Sequence, residues 1–214
     1  MKFYESGDNR KPVIFLFPGT CCLYSSFDHV LDGLHSYFYT VTVSYDGFDP
    51  NEKTEFYSME GECEKIEQEI RKKYGGRIKA AYGCSLGGSF LSLLIQRKRI
   101  HIDHGIIGSS DMDEAGHLVA KIQSSMVVPF MYKMVHTGTL PKFMQKKLDK
   151  TDGGKKELYN GFLNMFGIGK GGSLRHLKSF RPMIRQGICR IHPVMGWSRW
   201  LIISMIIMII SDYC

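Results

Sequence analysis

With 214 residues, of which 43% are hydrophobic and 12% aromatic, the chain fits one domain with enough apolar surface for a core, which excludes disorder over most of its length. Its net charge of +7 is uneven: residues 1–110 carry 13 Lys+Arg against 14 Asp+Glu, a balance of −1, and residues 111–214 carry 15 against 7, a balance of +8. The basic cluster Lys142, Lys146, Lys147, Lys150, Lys155 and Lys156 has no aromatic-interleaved or zinc-finger pattern beside it, so it reads as a solvated helical face and nucleic acid is not an expected partner.

In chain order, "KFYE" predicts a short strand, followed by the turn formers "SGDNRKP". "VIFLFPG", Val13 to Gly19, is a continuous apolar run of strand length, the pattern of a parallel strand covered on both faces. "SSFDHVLDGLHSYF" places Phe27, Val30, Leu31 and Leu34 at helical spacing, with Ser25, Ser26 or Asp28 as candidate caps. "YTVTVSYDGFD" is a β-branched and aromatic strand that closes in an Asp-Gly turn. "SMEGECEKIEQEIRKKYGG" is a helix whose charges follow the helix dipole, negative first and positive last, ending at Gly75 and Gly76. "RIKAAYGCS" is a strand, "GGSFLSLLIQRKR" a helix and "IHIDHGIIGSS" a strand. Strands and helices alternating at these lengths predict a parallel α/β sheet.

From Asp111 the pattern changes to short amphipathic helices broken at Gly138, Pro141, Gly153 and Gly171. From Ser179 onward there is one acidic residue, Asp212, against thirteen Ile and Met together. The final apolar run, Trp200 to Ile210, has 11 residues, short of the roughly 20 that span a membrane. The six cysteines form no C-x-x-C pair and complete no zinc spacing, and the opening "MKFYESGDNRK" lacks an apolar signal core. The expectation is a cytoplasmic protein with reduced thiols.

The chemistry concentrates at Gly83-Cys84-Ser85-Leu86-Gly87, a G-x-S-x-G pattern. A nucleophile elbow needs a strand before the serine and a helix after it, with glycines where a Cβ would collide. "IKAAY" and "SFLSLLIQ" supply that context, and the helix start brings backbone N–H groups and a positive dipole end. The bland alternative is a Gly-rich turn in which Ser85 is only a small residue. A second oxyanion donor must come from another loop. "FLFPGTCC" ends a strand in Pro18-Gly19-Thr20, where the N–H of Thr20 or Cys21 is the candidate.

"VIFLFPGT", "VTVSYDGFD", "IKAAYGCSLGGSF" and "IDHGIIGSS" together are similar to the α/β-hydrolase superfamily, and resemble its small bacterial members with a PGT loop in place of His-Gly. The resemblance covers residues from about 3 to 110 and implies an α/β-hydrolase-like, mostly parallel sheet flanked by helices. It implies a core at 1–110, a helical cap at 111–172 and an atypical apolar tail at 173–214. Carried over, Ser85 is the nucleophile, Leu86 and Thr20 supply the oxyanion-hole N–H groups, and the reaction is hydrolysis of an ester, thioester or amide through an acyl-enzyme, with no cofactor and no metal.

The same resemblance requires an acid and then a histidine after later strands. No strand ending in an Asp-containing loop and no GxxH-like segment follows Ser173. Asp111 and Asp113, after the fourth α/β strand, are candidates for the acid or for helix capping. His192, with His176 before it, is a candidate base or a surface histidine. His101 and His104 fall at the wrong end of their strand. The missing pattern leads to the expectation of a truncated or frame-shifted C-terminus that lacks the sheet's final strands. It also leaves two functional readings: a serine hydrolase acting on a small-molecule acyl substrate, and a binding or interaction protein that keeps the fold without a complete triad. Met126, Phe130, Phe143 and Phe162 make the cap apolar, suited to an acyl chain or simply to packing. Membrane contact through the apolar tail is a weaker option.

Overall fold

In the computed structural model of the chain, residues 1–20, 22–49, 51–108, 110 and 122 are described. Apart from Ile122, the expected cap, the tail, Asp111 and His192 lie outside them.

Five strands form one sheet in the order β1-β3-β2-β4-β5: β1 is Lys2–Ser6, β2 Val13–Phe17, β3 Tyr39–Ser44, β4 Arg77–Cys84 and β5 His101–Gly108. The last four are parallel, with Val13 beside Tyr39, Phe17 beside Gly83 and Cys84 beside Gly108. β1 runs antiparallel on the β3 edge, Phe3 opposite Val43. The three helices are α1 (Asp28–His35), α2 (Met59–Tyr74) and α3 (Leu86–Arg97). The sheet is mostly parallel and flanked by helices, as the alternating pattern predicts, and the antiparallel β1 makes it mixed.

Strand β2 explains why a continuous apolar run was needed. Ile14 and Leu16 pack on one face with Phe27 and Ala80, next to Leu31 and Leu34 of α1. Phe15 and Phe17 point the other way into the larger core with Ile66 and Ile70 of α2 and Phe90, Leu91 and Leu94 of α3. With side chains alternating between two covered faces, every position is apolar.

Helix α2 starts at Ser58, whose Oγ accepts the Gly61 N–H at 3.0 Å, and ends at Gly75 in the left-handed region, φ 63°. Its dry stripe is Met59, Cys63, Ile66 and Ile70. Glu67, fully buried on the same helix, is neutralised by Arg97 of α3, Nε to Oε1 at 2.6 Å, which locks the two helices together. The helix expected over 25–38 is shorter: a 3-10 turn, Tyr24–Phe27, precedes α1. None of Ser25, Ser26 and Asp28 caps it; Phe27 is the N-cap with no side-chain bond, while Asp28 sits in the first turn, where its charge suits the dipole.

Candidate active site

The C-terminal ends of β2 and β4 lie side by side and carry the two segments singled out by sequence. Ser85, between β4 and α3, has φ 53° and ψ −119°, a combination that L-residues rarely adopt. Its backbone is held from both sides: its N–H donates to the Gly108 carbonyl at 2.9 Å, and its carbonyl accepts the Gly88 N–H at 2.9 Å. As the residue before α3 it occupies the N-cap position, yet its side chain makes no capping bond. Ser58, at the same position of α2, has extended backbone (φ −156°, ψ 150°) and does cap its helix. The contrast is informative, because capping is the ordinary reason for a serine at a helix start.

The flanking glycines are required by close approach. A Cβ on Gly83 would lie 2.3 Å from the Gly87 carbonyl oxygen, and one on Gly87 would lie 2.0 Å from the Phe17 oxygen and 2.8 Å from the Pro18 oxygen. The first turn of α3 is thus pressed onto the end of β2, which brings the Pro18-Gly19-Thr20 loop to the serine. A Cβ on Gly19 would be 3.5 Å from Ser85 Cβ and 3.4 Å from the Cys84 oxygen.

Three successive carbonyls of that loop are held. Pro18 O accepts from the Tyr45 hydroxyl at 3.3 Å, Gly19 O from the Cys22 N–H at 3.1 Å, and Thr20 O from the Cys22 thiol at 3.7 Å. In a planar trans peptide the N–H points opposite to the C=O, so fixing the Pro18 and Gly19 carbonyls also fixes the following N–H groups of Gly19 and Thr20. Tyr45 is fully buried and stacks on Phe90 of α3 with ring centroids 4.5 Å apart. Burial holds its phenol well above the ordinary range, so it stays a donor. Burial likewise pushes Cys22 up to about 12 and raises Cys84; both are thiols rather than thiolates at neutral pH.

Thr20 is half-buried, Ser85 is partly accessible, and Leu86 is buried at the first position of α3. Cys21 lies outside the described residues. His101 pairs with Arg77 at the far end of β5, and His104 pairs with Ala80, four register positions below the Cys84–Gly108 pair. His35 bonds Ser6 Oγ at 2.9 Å and Thr40 Oγ1 at 3.1 Å near the start of β3. Tyr45 was not singled out by sequence. It follows a β-branched strand like any other core aromatic, and only the contact with Pro18 reveals it. Among the described residues no helix is long and apolar enough to cross a membrane, and the cysteines Cys22, Cys63 and Cys84 are free.

The chain has the α/β-hydrolase fold, with a strand-to-helix serine turn at the top of the sheet. No protein-family model matches it, and no curated protein matches it. Among solved structures it is similar to a protein of Desulfitobacterium hafniense ascribed to the alpha/beta hydrolase family, at 14% identity and TM-score 0.69, over 89% of this chain and 73% of that one. It is similar to a carboxylesterase of the ammonia-oxidizing thaumarchaeon Nitrososphaera gargenis, at 14% identity and TM-score 0.63, over 87% of this chain and 68% of that one. A third likeness is to 1H-3-hydroxy-4-oxoquinoline 2,4-dioxygenase, at 16% identity and TM-score 0.57, over 86% of this chain and 65% of that one. At such identities the likeness is one of fold, and the third case carries the fold with a different named activity.

Proposed function

We propose that the chain is a serine hydrolase that cleaves an ester, thioester or amide of a small acyl substrate. The observation that carries this reading is the backbone of Ser85, held in an unfavourable conformation at φ 53°, ψ −119° at the start of α3. Strain of this kind persists only where surrounding structure enforces it, and it concentrates at functional sites. In the proposed reaction Ser85 Oγ attacks the acyl carbonyl carbon as its proton passes to a base. The carbonyl oxygen takes up negative charge beside the N–H groups of Leu86 and Thr20. The leaving group departs with the proton, and water, deprotonated by the same base, releases the acid. Support for the oxyanion role comes from Leu86 at the positive end of α3 and from Thr20 on the loop whose carbonyls are tied back. His192 as base and Asp111 as its orienting acid complete the proposal; both lie outside the described residues. The hydrolase fold and the carboxylesterase likeness support the reaction class.

The second reading is a protein that keeps the elbow for binding without hydrolysis, and it is favoured by the missing GxxH-like segment after Ser173. A fluorophosphonate probe separates the two. Stoichiometric labelling of the folded full chain that vanishes in Ser85→Ala is expected. Folded wild-type protein that takes up no probe would refute an activated serine and favour the binding reading.

A further inference from the structure

The basic residues of the first half are not spread evenly either. Between Arg71 and Ile102 there are eight, Arg71, Lys72, Lys73, Arg77, Lys79, Arg97, Lys98 and Arg99, and no acidic residue. The fold gathers the two runs at one place, because α2 and α3 both end where β4 and β5 begin, with Arg77 beside His101. This is the foot of the sheet, the length of the eight-residue β4 away from Ser85, or roughly 25 Å at the rise of a strand.

A cavity of about 630 Å³ opens there, lined by Arg71, Lys98, Arg99 and His101 with Ile95 and Ile102, over the bare backbone of Gly75 and Gly76. A Cβ on Gly75 would meet nothing within 4 Å, so the floor is open to a ligand. Small-molecule sites commonly enclose roughly 300–1,000 Å³.

The neighbouring carboxylates do not use up this charge. Arg97 takes Glu67 at 2.6 Å and Glu64 at 3.3 Å, and Arg99 reaches the same pair only at 3.6 Å. Asp103 is shared by Arg77 at 2.8 Å, Lys79 at 3.3 Å and His101 at 3.1 Å. Arg71 and Lys98 have no carboxylate partner among the described residues. Each of the two helix C-termini contributes roughly −0.5 charge. Set against Arg71, Arg97, Lys98 and Arg99 with Glu64 and Glu67, they leave about +1; Arg77 and Lys79 against Asp103 add about +1, and Lys72 and Lys73 against Glu5 and Glu69 add nothing. The remainder matches a dianion.

Lys98 carries a second mark. It ends α3 in the left-handed region at φ 52°, ψ 28°, the position that Gly75 fills at the end of α2. Glycine is the usual residue there, and a lysine holds that conformation at a cost. We propose that the foot of the sheet is a binding site for a small phosphate monoester. Arg71 and Lys98 take its phosphate, and the Ile95 and Ile102 wall takes its organic part. The site does not depend on the reaction proposed for Ser85.

Titration calorimetry of the full chain with phenyl phosphate, inorganic phosphate and phosphatidic acid vesicles tests it. Phenyl phosphate is expected to bind saturably and more tightly than inorganic phosphate. Arg71→Gln and Lys98→Gly should each weaken it at least tenfold, while fluorophosphonate labelling at Ser85 stays as in wild type. Lys98→Gly also relieves the left-handed lysine, so its melting temperature should hold or rise, and lost binding cannot then be lost folding. No saturable binding of phenyl phosphate by wild type, undiminished binding by both variants, or binding to vesicles alone would each overturn the proposal.

Discussion

Replacing Ser85 by alanine and by glycine separates backbone strain from side-chain chemistry. Both variants remove the hydroxyl, but only glycine removes the Cβ that makes φ 53°, ψ −119° unfavourable. A non-glycine residue in such a region costs roughly 1–3 kcal/mol. Against this, glycine loses about 0.5–1 kcal/mol more backbone entropy on folding than alanine. The difference favours Ser85→Gly over Ser85→Ala by about 1 kcal/mol, or about 2–4 °C in melting temperature for a domain of this size. Thermal unfolding followed by circular dichroism, with urea midpoints as a check, measures it. Neither variant should take up a fluorophosphonate. If Ser85→Gly unfolds at or below the temperature of Ser85→Ala, the conformation is not strained and the main support for an activated serine is lost.

Gly87→Ala places a methyl group against backbone atoms of Phe17 and Pro18 that cannot rotate away, and should cost about 3 kcal/mol or more; the urea midpoint reads it directly. Tyr45→Phe keeps the stack on Phe90 and deletes only the bond to the Pro18 carbonyl. A stability loss of about 1 kcal/mol is expected, together with fluorophosphonate labelling several-fold slower; labelling at the wild-type rate would show that Tyr45 does not position the loop. Glu5 gives a pH-dependent case. Burial alone would raise its carboxyl, but the Tyr74 hydroxyl at 2.6 Å and Lys73 at 3.3 Å hold it below the ordinary value. A lowered folded value means stabilisation that is present above the unfolded pKa and lost as pH falls through the folded one. Tyr74→Phe should therefore be less stable than wild type at pH 7 by about 1 kcal/mol, with the gap narrowing by pH 3. A gap that stays constant with pH would contradict the assignment.

Much of this molecule was legible from local pattern. The apolar run 13–17, the helix 59–74 with its glycine stop, and the strand–serine–helix order all follow from period and punctuation within a dozen residues. Ser85, Leu86, Thr20 and the glycines around them were candidates for the same reason. Local pattern could not say that Lys2–Ser6 pairs antiparallel on the β3 edge, because strand order is set by which faces bury together. It could not find Tyr45, whose neighbours in sequence are unremarkable and whose partner lies 27 positions away. The first half sums to nearly zero charge, yet folding sorts its cations to the foot of the sheet, since two runs some twenty residues apart meet only when parallel strands bring both helix ends together.

By itself, then, the sequence determined the kinds and order of the elements and the serine turn, because propensity, spacing and glycine placement act over short range. Tertiary structure decided the rest. The end of β2 packed on α3 brings Gly19 to Ser85 across the chain. The enforced φ of Ser85 separates it from a serine such as Ser58 that caps its helix from extended backbone, and no property of an isolated segment contains that constraint.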